Sequence, residues 1–214
     1  MSIERRKLTL AERLVMKSLR ALTTATEGYW VTFDEEMLRS WGISGYLKSF
    51  VVLYKYWGAI EKHFGPETAH LLAFYSSLWN GCMYCGFGHL YGHNLYFFER
   101  TGALFPLSED EVINRMRTTD EEIMGWVNDR LTTPELLEKR KLIQQLYAVR
   151  MGQPSGADPK DEEFLRMSIP LYAFINECSI TSEPPAPAMG RFAKRKELIE
   201  RYYKARAEAA ELKN

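Results

Sequence analysis

Cysteine is scarce in this chain. Cys82, Cys85 and Cys178 are the only three among 214 residues. That number is too small, and odd, so it excludes a secreted disulfide scaffold and fits a reducing, cytoplasmic setting. Charge of one sign is not in excess either. Lys and Arg number 28 and Asp and Glu number 28, so neither nucleic acid nor a membrane surface is an expected partner. No run of eighteen apolar residues occurs, which argues against a membrane span. The opening "MSIERRKLTLAERLVMKSLRALTTAT" has no unbroken apolar segment and reads as a basic amphipathic first helix, not a secretory signal. A transit peptide would share some of that character, but Glu4 and Glu12 oppose it. GxGxxG, the P-loop, GxSxG and HExxH are all missing, and with them the usual marks of dinucleotide, nucleotide, serine-hydrolase and zinc-peptidase chemistry.

What is present is helix. Apolar content of 46% and aromatic content of 13% supply a real core, and no stretch shows convincing strand alternation. Thr9 with Glu12, Ser108 with Glu111, and Thr119 with Glu122 each carry a capping-box spacing. The first is followed by Leu10, Leu14, Val15, Leu19 and Leu22 as one stripe. Asp34 can cap a short helix ending near Trp41. A longer one is expected from Ser44 to about Phe64, turning Leu47, Phe50, Val51, Tyr54 and Trp57 inward. Gly65-Pro66 ends it and starts the next, "PETAHLLAFYSSLW", which stops at Asn80-Gly81. Further helices are expected from about Cys82 to Arg100, from Pro134 to Met151 and from Pro159 to Glu177, with Pro170 kinking the last. The organisation expected is one all-α domain over 1–181, a proline-rich linker over 182–190, and a charged amphipathic helix over 191–214 that docks on the domain or on another subunit.

Chemistry concentrates in "WNGCMYCGFGHLYGHN", residues 79–94. On one helix Cys82, Cys85, His89 and His93 share a sector of about 80°. A single metal ion is poorly served, because the outer two donors lie about 16 Å apart along the axis. A redox dithiol is better served. The sulfurs of C-x-x-C sit one turn apart, and the Asn80-Gly81 turn puts them at a helix N-terminus, which lowers a thiol's pKa. His89, four residues beyond Cys85, is at the spacing where side chains meet and is a candidate base. A purely structural role, with small buried cysteines and a satisfied core histidine, also fits each residue taken singly. Cys178 and His63 read as structural.

The run "NGCMYCGFGH" resembles the C-x-x-C-x-x-x-H signature of the carboxymuconolactone decarboxylase / alkylhydroperoxidase D-like superfamily, persuasively over residues 66–101. The resemblance implies a multi-helix all-α orthogonal bundle that is an obligate homo-oligomer, a trimer or hexamer. It also implies a cofactor-free thiol peroxidase, without metal, that reduces a small hydroperoxide and is recharged by a lipoyl- or thioredoxin-like dithiol. By this match Cys85 attacks the peroxide, Cys82 resolves it as a disulfide, and Tyr84 occupies a gating position. One departure stands out. Twelve residues before Cys82 the family carries Glu and this chain carries His70. Glu67, three residues earlier on the same face, is a possible substitute in a Glu67–His70–His89 relay, and His93 a possible pocket residue. Two rivals remain: a decarboxylase-type or catalytically altered member of the superfamily, and a non-catalytic oligomeric binding protein.

Overall fold

Nine helices and no strand occur among the described residues, which are 6–27, 33–115, 118–179, 192 and 194–212 of a computed structural model. The expected all-α class holds. The segment expected as a linker, 182–190, lies outside the described residues. The helices are α1 (Leu10–Glu27), α2 (Phe33–Phe64), α3 (Pro66–Trp79), α4 (Met83–Thr101), α5 (Asp110–Arg115), α6 (Asp120–Arg130), α7 (Pro134–Arg150), α8 (Pro159–Ser179) and α9 (Lys196–Glu211). None is long and apolar enough to cross a membrane.

α3 is the axis of the molecule. Every residue from Ala69 to Trp79 is buried, and a helix apolar on all sides must lie inside. Pro66 at its start gives up an N–H that would be unbonded there anyway. α4 folds back along it, and α2, α7 and α8 pack around the pair. Two of the expected caps form in full. The side chains of Thr9 and Glu12, and of Thr119 and Glu122, each bond the other residue's backbone N–H. α8 continues as helix through Pro170 to Ser179.

α2 departs from expectation in its orientation. It breaks at Gly42, whose φ of 66° suits glycine, so a short helix does precede a long one. But Tyr46, Leu53 and Ile60 are the residues turned inward, with Phe50 and Trp57 partly buried. Leu47, Val51 and Tyr54 face out. The helix is apolar on two sides, so periodicity alone admits two stripes. The choice is made by distant partners, such as the Tyr46 hydroxyl donating to the buried Asp34 carboxylate at 3.1 Å. α1 is corrected likewise: Leu10, Leu14 and Leu22 are exposed, and Met16, Val15 and Leu19 pack inward.

The charged C-terminal helix docks, as one of its two expected modes. Leu198 and Tyr202 of α9 are buried beside Tyr91, Leu95 and Phe98 of α4. The Tyr202 hydroxyl donates to Glu109 at 2.6 Å and accepts from Asn94 at 3.1 Å and Arg206 at 2.8 Å. Tyr202→Phe keeps the ring and deletes this hub beneath a buried carboxylate. It should lower the unfolding free energy by about 1–3 kcal/mol, read from the urea midpoint. An unchanged midpoint would mean that apolar burial alone holds α9.

Candidate active site

The α3–α4 turn fixes where the dithiol stands. Gly81, at φ 72°, reverses the chain, and Cys82 follows in extended backbone as the N-cap of α4. Its sulfur accepts the Cys85 N–H at 3.3 Å, the role a serine or aspartate usually fills. Cys82 and Cys85 are both free and fully buried, and they approach to 2.5 Å. Gly86 lets α4 pack against its neighbours in ordinary van der Waals contact. A Cβ there would meet Val112 of α5 at 3.4 Å, with Ser77 and Leu78 of α3 just beyond.

α8 completes the dithiol's surroundings. Asn176 donates to the Ser77 hydroxyl at 3.0 Å and accepts from the Asn80 amide at 2.8 Å. Its side chain and that of Ser179, whose hydroxyl donates to the Ile175 carbonyl at 2.8 Å, are polar neighbours of the sulfurs. The two thiols are thereby made unequal. Burial pushes Cys85 up, but its polar neighbours Cys82, Ser179 and Asn176 outweigh it and hold that thiol below its ordinary range. Cys82, hydrogen-bonded to Cys85 and buried, is held well above. Cys85 is therefore the more acidic thiol of the pair.

Facing another way, α3 and α4 bring His70 and His89 together. Their Nδ1 atoms lie 3.0 Å apart, and both rings are buried. Trp57 of α2 covers them, stacked on His89 at 5.4 Å and edge-on to His70 at 5.2 Å. Glu61 follows one turn along α2, its carboxyl raised by burial. One proton serves the two facing Nδ1 atoms. When His70 supplies it, His89 carries its own proton on Nε2 and acts as an acid there. When His89 supplies it, His89 Nε2 is a base and His70 Nε2–H is left buried without a partner.

The remaining candidates go elsewhere. Glu67 does not join His70. Its carboxylate holds Arg100 at 2.8 and 3.0 Å and Lys139 at 2.6 Å. His93 bonds the Glu67 carbonyl at 2.9 Å and packs edge-on to Phe105 at 4.4 Å. Tyr84 is buried in the main core. No hydrogen bond among the described residues joins His89 to either thiol. Cys178 lies with Met16, Met37 and Tyr46, its thiol pushed up to about 12 by burial. His63 pairs with Asp161 at 2.7 Å and stacks on Phe164 at 4.1 Å, tying α2 to α8. A polar cleft of about 460 Å³ lined by Glu67, Arg100 and Lys139 also includes Tyr96, whose ring is 5.7 Å from His70. Sequence reading missed Trp57, Glu61, Asn176 and Ser179, none of which lies within the motif.

The chain matches no family model, no curated protein and no solved structure.

Two outcomes follow from this arrangement. Asn176→Ala and Ser179→Ala each remove a polar neighbour that lowers the Cys85 thiol, so each should raise its pKa by about one unit, followed by thiolate ultraviolet absorbance against pH. Burial holds His70 down to about 4 and His93 to about 3. The folded protein keeps these rings neutral where the unfolded chain protonates them. Their contribution is therefore complete above pH 6.5 and is lost as pH falls toward 4. Between pH 7 and pH 5 each should cost the fold about 2 kcal/mol, and His93→Asn should remove one such share from the pH dependence of urea unfolding.

Proposed function

We propose that this chain is a cofactor-free thiol peroxidase of the alkylhydroperoxidase D-like kind, working through a Cys82/Cys85 dithiol–disulfide cycle. The observation that carries the reading is the buried free pair at the α4 N-terminus, where the Cys82 sulfur caps the helix by accepting the Cys85 N–H at 3.3 Å and Cys85 is left the more acidic thiol. A peroxidase needs that division of labour, one sulfur to attack and one to keep its proton for the second step.

The Cys85 sulfur attacks the outer oxygen of a hydroperoxide. The O–O bond breaks, Cys85 becomes a sulfenic acid, and the alkoxide leaves with its electron pair. The thiol proton passes to His89 and on to the alkoxide, giving an alcohol. His89 lies one turn along α4 and is the imidazole to which we assign that transfer. The shared His70–His89 proton supports it by letting His89 Nε2 alternate between base and acid. Cys82 then displaces hydroxide from the sulfenic acid, which leaves as water with the Cys82 proton and closes the disulfide. A dithiol of lipoyl or thioredoxin type takes up that oxidation and restores both thiols. Exposed apolar stripes on α1 and α2, Leu10 with Leu14 and Leu47 with Val51 and Tyr54, support self-association; a trimer or hexamer agrees with the resemblance.

A second reading, a catalytically altered relative, is favoured by one observation: an imidazole, His70, stands where the family signature places a carboxylate. Oxidation decides between them. One equivalent of hydroperoxide should consume two thiols per chain and leave a Cys82–Cys85 disulfide in the peptide map. His89→Asn should slow that step about a hundredfold. Thiols that survive excess peroxide would discard the peroxidase reading.

A further inference from the structure

α2 and α8 run in opposite directions and are clamped at two levels. Trp41 stacks on Phe174 at 4.9 Å near one end, and His63 meets Asp161 and Phe164 at the other. Between the clamps the helices enclose a groove of about 450 Å³, within the range of small-molecule sites. Leu53 and Leu171 form its floor, and Val52, Tyr56, Met167 and Phe174 its sides. Val52 is 49% exposed and Tyr56 40%, so the walls are apolar surface left open to water. One cation enters the lining. Lys48 stands at the Phe174 end beside Ser49, and it makes no ion pair among the described residues.

We propose that this groove binds a single-chain amphiphile with an anionic head, of the fatty-acid type. The dimensions and the charge arrangement both fit. From Lys48 to Tyr56 the helix rises about 12 Å, the span of a medium-length acyl chain. An acyl chain laid along Val52, Tyr56 and Met167 removes their apolar area from water. Its carboxylate reaches Lys48 and the Ser49 hydroxyl at the open end. A headgroup of the opposite charge meets no acid in the lining, so the site selects by sign as well as by shape. Clamps at both ends keep the groove formed before the ligand arrives, which lowers the ordering cost of binding. The floor residues have neighbours of consequence. Trp57 lies one turn beyond Leu53 on α2, and Tyr172 follows Leu171 on α8, and their rings lie 6.1 Å apart beside the histidine pair. The groove therefore backs directly onto the cover of the candidate active site, yet binding requires none of the thiol chemistry.

Titration calorimetry of the whole protein with decanoate, and with decyltrimethylammonium as the cationic counterpart, tests this. Decanoate should bind with one site per chain and decyltrimethylammonium at least about tenfold more weakly. Lys48→Glu, at an exposed position, should weaken decanoate about tenfold and narrow or reverse that preference. Met167→Trp should fill the groove and abolish binding of both while the thiols still oxidise. Failure of decanoate to bind, as when a second copy of the chain fills the groove, overturns the proposal. So does equal affinity for the two detergents, or decanoate affinity unchanged in both variants.

Discussion

A single buried amide, Asn176, sets the arrangement on which the rest of the site depends. Its oxygen accepts from Asn80 and its nitrogen donates to Ser77, so it grips the end of α3 and the turn that follows. Arg150 holds the same turn from α7, donating to the Asn80 side chain at 2.9 Å and the Trp79 carbonyl at 3.2 Å. These bonds leave the Asn80-Gly81 reversal little freedom, and that reversal decides where α4 begins. Because Cys82 is the first residue past it, its sulfur becomes the helix cap, and Cys85 falls one turn inside. The amide that fixes the turn is also a polar neighbour of the sulfurs that lowers their pKa. Position and acidity of the dithiol thus have a common cause, and a change in one entails a change in the other. This coupling explains why a buried polar network is kept here although an apolar contact would avoid its desolvation cost.

The local parts of this arrangement were legible in the sequence. C-x-x-C-x-x-x-H after Asn-Gly places two thiols at a helix start and an imidazole one turn on, because that follows from 3.6 residues per turn and nothing else. The same holds for the Thr9 and Thr119 caps and for Gly65-Pro66. Asn176 and Ser179 were not legible. They lie more than ninety residues downstream of the thiols, on a helix whose packing partner no local spacing reveals. Glu67 shows the converse error. Spacing puts it on the same face as His70, but it sits in the first turn of α3, where a long side chain can swing outward. Two cations from α4 and α7 draw it there. α2 failed for a third reason, since two apolar stripes of similar strength give periodicity no basis for choosing between them.

On the peroxidase reading proposed above, the histidine pair can be weighed against the carboxylate that the family signature carries at that position. A carboxylate facing His89 Nδ1 would accept its proton permanently, leaving Nε2 a standing base and stabilising the imidazolium that forms. An imidazole accepts the same proton on nearly equal terms, so it fixes neither tautomer and offers no countercharge. Burial compounds this, since both rings are held below their ordinary pKa and neither forms a lasting cation. A thiol of ordinary pKa would be served poorly by such a base. Cys85 is not such a thiol. Its polar neighbours, Cys82 first and then Ser179 and Asn176, already lower its pKa, so less is asked of the base. On that reading a neutral relay suffices if it also returns the proton to the departing alkoxide, which a bridge without a fixed tautomer does more readily than a carboxylate-locked one. The imidazole at position 70 and the amide at position 176 are, in this light, compensating features, with basicity moved from the proton acceptor to the environment of the sulfur.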